Sequence, residues 1–178
     1  LSQSVRDYGT NIDIALKARE KNELLPNQIL RSIKKVFNGS ELNKKPISIA
    51  LLGLAFKGKP ATDDLRGSMA LPILNKLKSY FDLADFYGYD PLVSSEEIQK
   101  IGLTYLTSIE ESFKEKTIVL ILTNHPVFSN LDLDKLIPKM KPPSLLYDLW
   151  ANYNPSDLNL KKGHGYISFG NLKNGIIP

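Results

Sequence analysis

The chain has 178 residues, 42% of them hydrophobic and 24% charged, which suits one α/β domain with a helical extension. No apolar run approaches the roughly 18 residues that span a bilayer, and a net charge of +4 on scattered lysines does not favour a nucleic-acid partner. The absence of cysteine excludes disulfides, thiolate metal sites and thiol catalysis by this chain, and its two histidines lie too far apart to predict a metal site.

Residues 1–37 repeat apolar side chains at helical spacing and contain no strand-like run, so we predict a helical arm. Pro26 either kinks one long helix or starts a second one, and Asn-Gly-Ser at 38–40 ends it. We therefore predict two domains, a helical arm at 1–43 and an α/β domain at 44–178. The apolar stripe of the arm favours a homodimer. Because the first residue is not methionine, we expect a piece of a longer chain.

From residue 47 onward, short apolar runs alternate with amphipathic segments, as in α/β folds. The amphipathic segments predict helices at 68–80, from 94 onward, at 108–115 and at 132–137. The apolar runs predict six strands, at 47–52, 84–89, 103–106, 117–123, 144–148 and 165–169.

This alternation predicts an α/β, Rossmann-like, doubly wound parallel sheet of about six strands, preceded by the helical arm. Strands 47–52 and 117–123 are expected side by side at the centre, because the second is apolar on both faces. The strand order then reverses between them, and ligands of such sheets bind at that switch point. The loops at 56–66 and 123–128 are expected to converge there.

The loop at 53–67 carries residues suited to an anionic ligand. Gly53 permits close backbone approach, and Gly58 and Gly67 permit conformations barred to other residues. Lys57 supplies a point charge, and Arg66 a planar fork that grips phosphate.

The aspartates beside Arg66 leave two interpretations open. Asp63 and Asp64 either hold the Arg66 fork or accept from ribose hydroxyls. The alternative is a solvated loop in which Asp64 and Arg66 merely pair. Because no Gly-x-Gly-x-x-Gly is present, the spacing alone supports only an anionic ligand.

Five short segments carry a resemblance that covers nearly the whole chain. They are Asn-Glu-Leu-Leu-Pro at 22–26, Gly-Leu-Ala-Phe-Lys at 53–57, Thr-Asp-Asp-Leu-Arg at 62–66, Tyr-Asp-Pro-Leu-Val at 89–93 and Ile-Leu-Thr-Asn-His-Pro-Val-Phe at 121–128. Together, and in this order, they resemble the C-terminal domain and central helix of the nucleotide-sugar 6-dehydrogenases. This family comprises the UDP-glucose, GDP-mannose and UDP-N-acetylhexosamine dehydrogenases.

The resemblance implies an NAD-dependent, cytoplasmic, dimeric oxidoreductase. In that family an N-terminal domain binds NAD, and a cysteine and two hydride transfers convert the sugar C6 alcohol to a carboxylate. Because this chain has no cysteine and no glycine fingerprint, we expect a C-terminal fragment that is inactive alone. The implied substrate is a UDP-sugar or GDP-sugar, with UDP favoured.

Carried over residue by residue, the resemblance assigns substrate contacts to Phe56, Lys57 and Asp64. Phe56 and Lys57 would lie against the nucleotide, and the loop through Asp64 would shape the pocket. Arg66 would reach the NAD pyrophosphate. The structural alternatives are a core aromatic for Phe56 and a local ion pair for Arg66.

Three departures from the family pattern leave roles open. Asp-Leu-Trp at 148–150 lacks the arginine of the family's Asp-x-Arg, so Trp150 either stacks on a ligand ring or simply packs. Asn124 and His125 replace a Glu-Trp pair, and His125 is expected to be a surface or capping residue rather than a base. Asn22 either supports the helix at Pro26 or contacts substrate.

Two other classes of function fit the same sequence. One is a stand-alone nucleotide-binding or regulatory module without catalysis. The other is a helix-mediated scaffold whose loop charges are only structural.

Overall fold

The computed structural model describes residues 13–37 and 42–171. The helices are α1 (Asp13–Val36), α2 (Ala70–Lys78), α3 (Ser95–Lys100), α4 (Ile109–Phe113) and α5 (Leu133–Leu136). The strands are β1 (Ser48–Leu52), β2 (Asp85–Tyr89), β3 (Thr104–Tyr105), β4 (Ile118–Ile121), β5 (Ser144–Asp148) and β6 (His164–Ser168). Every strand predicted from the sequence is present, and its bounds agree within two residues.

The six strands form one parallel sheet in the order β3-β2-β1-β4-β5-β6. The predicted Rossmann-like fold is confirmed, and β1 and β4 are the adjacent central pair. The chain runs outward from β1 to β3, then returns to β4 and runs outward on the other side. The strand order therefore reverses between the carboxyl ends of β1 and β4, where such sheets bind ligands.

Alternating side chains of the central strands enter two separate cores. Ile49 and Leu51 of β1 pack on one face with α1, α2 and α3, whereas Ala50 and Leu52 pack on the other with α4 and α5. All four side chains are fully buried. This double burial explains why β1 and β4 are continuous apolar runs rather than alternating ones.

Helix α1 covers the first of these cores with its second half. Ile29 and Ile33 are almost completely buried there against α2. The helix runs through Pro26 without a break, so the alternative of a new helix starting at Pro26 is wrong. The predicted stop at 38–40 and residues 1–12 lie outside the described residues, and the boundary at residue 43 stays a prediction.

Polar side chains start the short helices as the sequence predicts. Ser94 accepts a hydrogen bond from the Glu97 N–H, and Ser108 accepts one from the Glu111 N–H. For α2 the N-cap is Met69 rather than the predicted Ser68. Ser68, one residue earlier, accepts from the Ala70 N–H at 3.0 Å, and its hydroxyl donates to the Leu54 carbonyl at 2.6 Å. Ser68 thus joins the start of α2 to the loop that follows β1.

A buried histidine at the amino end of β6 gives the fold a pH dependence. The Ser144 hydroxyl and His164 Nδ1 share a hydrogen bond of 2.7 Å. Burial, and then the nearby Lys161 charge, lower the pKa of His164. The unfolded chain, with a histidine pKa of about 6.5, therefore binds this proton before the folded chain does.

We expect the free energy of unfolding to fall as the pH drops from about 6.5 toward the lowered pKa of His164. In His164→Asn this part of the pH dependence is lost, although the variant is less stable at pH 7. Urea unfolding of the wild type and of His164→Asn between pH 7.5 and 5 measures how the free energy of unfolding of each protein depends on pH. Identical slopes for the two proteins would contradict the assignment.

Within the described part of the chain, no helix combines the length and the apolar character needed to cross a membrane.

Candidate nucleotide-binding cleft

A cleft of about 590 Å³ opens at the carboxyl edge of the sheet, above the switch point. The loops after β1, β4, β5 and β6 form its floor and one wall, and helix α1 forms another. Its polar and charged lining residues are Lys21, Asn22, Gln28, Lys57, Lys59, Ser68, Thr123 and Asn124. Its apolar lining includes Leu25, Phe56, Met69, Leu122, Leu149, Trp150 and Phe169.

A buried carboxylate holds the start of the β1 loop in place. Asp90, just after β2, is 6% exposed. One of its oxygens accepts from the N–H groups of Leu54 and Ala55 at 2.7 and 3.1 Å. The other accepts from Leu92 and Val93 at 2.9 and 3.2 Å. The Tyr-Asp-Pro segment therefore acts by fixing the backbone that leads to Phe56 and Lys57.

Two glycines allow the loops after β1 and β4 to touch. Gly53 has a φ of +78°, and a Cβ there would lie 2.2 Å from Thr123 Oγ1. Gly58 donates its N–H to Asn124 Oδ1 at 3.0 Å. Gly58 does not adopt a left-handed φ, so the expectation of a special conformation is wrong. Glycine is required at this position because the neighbouring loop is close: a Cβ would lie 2.1 Å from the backbone nitrogen of His125.

Phe56 and Lys57 both line the cleft. Phe56 is 56% exposed, so it is not the core aromatic of the alternative interpretation. Its N–H donates to the Asp64 carbonyl at 2.7 Å, which closes the loop behind it. Together with Lys21 and Lys59, Lys57 gives the cleft three lysines, and among the described residues no acidic side chain lines it. The cleft is therefore electropositive and suited to an anion.

Asp64 and Arg66 lie on the same loop but outside the cleft lining. The Arg66 guanidinium donates to both Asp64 oxygens through Nε and a terminal nitrogen, at 2.8 to 3.2 Å. These hydrogen bonds lower the pKa of Asp64 to about 2, so the pair stays charged at neutral pH. The ion pair is thus present, with the Arg66 side chain 91% exposed. The roles of Asp64 toward substrate and of Arg66 toward NAD remain predictions.

Trp150 enters the cleft from the loop after β5. Its indole Nε1–H donates to the Leu122 carbonyl at 3.0 Å, and its backbone N–H donates to Asp148 at 2.9 Å. Asp148 is fully buried and also accepts from Asn152 and from the Tyr166 hydroxyl. Burial, and then the Asp148 charge, raise the pKa of Tyr166, which keeps this donor protonated.

Helix α1 contributes a wall of the cleft through Lys21, Asn22, Leu25 and Gln28. Residues 21, 25 and 28 share one helical face. Pro26 has no N–H for the carbonyl four residues earlier, which is that of Asn22. The helix therefore leaves the Asn22 carbonyl without its usual partner at the edge of the cleft.

The sequence interpretation missed Lys21, Gln28 and Phe169, whereas Thr123 begins the loop at 123–128 that was expected at the switch point. A signal existed for Phe169, because it comes directly after β6 and parallel strands end at one edge. Lys21 and Gln28 shared a helical face with Leu25, but the arm was interpreted as a separate element. His125 is a capping residue as expected, since its Nδ1 accepts from the Val127 N–H at 3.2 Å.

The sheet order, the helices on both faces and the cleft at the reversal of strand order define a Rossmann-like α/β domain. The model of the UDP-glucose/GDP-mannose dehydrogenase family, UDP binding domain, matches residues 50–155. The chain belongs to this family, and the resemblance inferred from its motifs is confirmed.

Individual relatives agree with the family match. The UDP-glucose 6-dehydrogenase of Rhizobium meliloti is 37% identical over 124 residues, covering 68% of this chain and 27% of the relative. That of Rickettsia typhi is 26% identical over 175 residues, covering 96% of this chain and 38% of the relative. The structure of UDP-N-acetyl-mannosamine dehydrogenase from S. aureus superposes with a TM-score of 0.61 at 26% identity, covering 89% of this chain and 33% of that one. The chain thus spans well under half the length of these relatives.

Proposed function

We propose that this chain supplies the nucleotide-sugar-binding site of an NAD-dependent nucleotide-sugar 6-dehydrogenase that oxidises the C6 alcohol of a UDP-sugar to a carboxylate. The cleft with three lysines and no acidic lining residue in the described part of the chain carries the proposal. A nucleoside diphosphate brings two negative phosphates, which this charge favours. The relatives named as UDP-sugar dehydrogenases support UDP over GDP.

The residues divide between two tasks in this proposal. Lys57 contacts the diphosphate, and Phe56 lies against the nucleotide. Asp64 acts through the loop, because its carbonyl accepts from the Phe56 N–H and its carboxylate fixes Arg66. The substrate would thus meet a surface whose shape is set before it binds.

NAD would accept the hydride in the reaction that we propose. Arg66 fits one contact to it, since its guanidinium is exposed on the loop that follows β1 and its fork geometry suits phosphate. Asp64 holds that fork in a fixed orientation. The remaining NAD contacts, the nucleophilic sulfur, the homodimer formed through the helical arm and the cytoplasmic location rest on the resemblance alone. We propose that this chain is not catalytic by itself, because it contains no cysteine.

We expect Lys57→Gln to weaken UDP-glucose binding by about 10-fold or more, because a hydrogen bond from a charged group to phosphate is lost. Isothermal titration calorimetry measures this effect. Lys141→Gln is the matched control, since Lys141 is exposed in the loop before β5, at the opposite edge of the sheet. It should bind like the wild type.

The same titration tests the proposal against its alternatives. UDP-glucose should bind more tightly than GDP-mannose, and increasing salt should weaken both. If neither nucleotide sugar binds the wild-type chain, the proposal is wrong and the scaffold interpretation is favoured.

A further inference from the structure

We infer that Trp150 is the stacking platform for the nucleobase of the ligand, and so a residue that makes the cleft select nucleotides over other diphosphates. The inference rests on the proposed function, because it assigns one part of the same ligand to one part of the same cleft.

The indole is fixed in orientation yet open to solvent. Its Nε1–H is bound to the Leu122 carbonyl, and its backbone is tied to the buried Asp148. Even so, Trp150 is 51% exposed and lies outside both core clusters. A tryptophan that only packed would bury its ring, since burial of an aromatic side chain is strongly favourable. The fixed ring instead offers a π-surface whose ordering cost has already been met on folding.

Exposed aromatic side chains concentrate in this cleft. Six large hydrophobic side chains of the described residues are exposed, and the three aromatic ones are Phe56, Trp150 and Phe169. All three line the cleft. Trp150 and Phe169 follow the neighbouring strands β5 and β6, and the Phe169 N–H donates to the Asp148 carbonyl at 3.1 Å. The β5–β6 side of the cleft is therefore an aromatic wall.

The polar groups on this side are already used within the chain. The Trp150 Nε1–H donates to Leu122, and both Asp148 oxygens accept hydrogen bonds from this protein. A sugar or a phosphate on this side would lose its water without gaining polar partners. A planar base needs only a π-face, and stacking on an aromatic side chain supplies it.

The charged and amide groups occupy the other sides of the cleft. Lys57 and Lys59 come from the β1 loop, whereas Lys21, Asn22 and Gln28 come from α1. In a nucleotide sugar the base forms one end, and the diphosphate joins the ribose to the sugar at the other end. The arrangement therefore orients the base toward Trp150 and the diphosphate toward the lysines.

The first test uses the fact that Trp150 is the chain's one tryptophan. We expect UDP and UDP-glucose to change its fluorescence on titration into the full 178-residue chain. Pyrophosphate and glucose 1-phosphate, which lack a base, should leave the emission unchanged while pyrophosphate competes with UDP. If UDP-glucose binds by calorimetry without any change in emission, or if glucose 1-phosphate reproduces the change, the inference is wrong.

The second test separates stacking from damage to the loop. Trp150→Ala should raise the Kd for UDP about 10-fold and leave the Kd for pyrophosphate unchanged, because only the base loses its partner. Trp150→Phe should keep most of the affinity for UDP. Leu83→Ala is the matched control, since Leu83 is as exposed as Trp150 but does not line the cleft.

Each result decides between the two proposals. Equal weakening of UDP and pyrophosphate in Trp150→Ala, or unchanged UDP binding, overturns the stacking role and leaves the proposed function standing. If the wild-type chain binds no nucleotide at all, the proposed function fails and the stacking role fails with it.

Discussion

Asp90→Asn is expected to lower the free energy of unfolding by about 3 kcal/mol, because the buried carboxylate accepts four backbone N–H groups and an amide can serve only one pair. Its NH₂ group would face two N–H donors, which then remain buried without an acceptor. The loop leading to Phe56 would shift as a result, so UDP-glucose binding should weaken too.

Urea unfolding measures the stability effect, with Asp85→Asn at the opposite end of β2 as the control. Asp85 is exposed at the start of β2, and its replacement should change stability by less than about 0.5 kcal/mol. Equal effects of the two substitutions would show that the Asp90 carboxylate does not hold the loops together.

Gly53→Ala is the second substitution with a large expected effect. The new methyl would lie 2.2 Å from Thr123 Oγ1 and 3.0 Å from the Phe128 ring, at a φ of +78° that disfavours any side chain. Backbone strain and overpacking each contribute about 1–3 kcal/mol. Because the methyl would push the β1 and β4 loops apart at the cleft floor, ligand binding should also weaken.

Gly170→Ala separates the two contributions. Gly170 has a similar φ of +86°, but a Cβ there meets nothing within 4 Å. We expect Gly170→Ala to lower the free energy of unfolding by the backbone strain alone, about 1–3 kcal/mol, and to leave ligand affinity unchanged. If the two variants unfold at the same urea concentration, close approach at Gly53 is not what requires glycine there.

Hydrophobic patterns were sufficient to predict the sheet and its switch point. The run at 117–123 is apolar on both faces, and this pattern placed β4 at the centre, with β1 expected beside it. The order of the strands then located the cleft, and the loop composition pointed to Lys57, whereas Phe56 was assigned to the site only through the resemblance to the family. The sheet, its switch point and Lys57 follow from local composition and from general rules of parallel sheets.

The rest of the site depends on contacts between distant residues, which no local pattern encodes. Helix α1 was predicted as an arm, yet its face at 21–28 lines the cleft because its second half packs on α2. The pairing of Arg66 with Asp64 was one of two open alternatives that spacing could not separate. Gly58 requires glycine because of the backbone of His125, which is far away in sequence.

The role of Trp150 also depends on contacts that the sequence pattern does not reveal. The sequence offered stacking or packing and could not choose, because the choice depends on Leu122 and Asp148 fixing the ring from two sides. The conformation of the loop after β5 had to be known before the exposed π-surface became apparent.

The most direct test of the account is to map UDP-glucose binding on the isotope-labelled chain by NMR. We predict the largest chemical-shift changes at the backbone amides of 53–59 and 123–124 and at the Trp150 indole N–H. Changes concentrated instead around Tyr89, Ser108 and Lys135, which line a separate cleft, would contradict a nucleotide site at the switch point of the sheet.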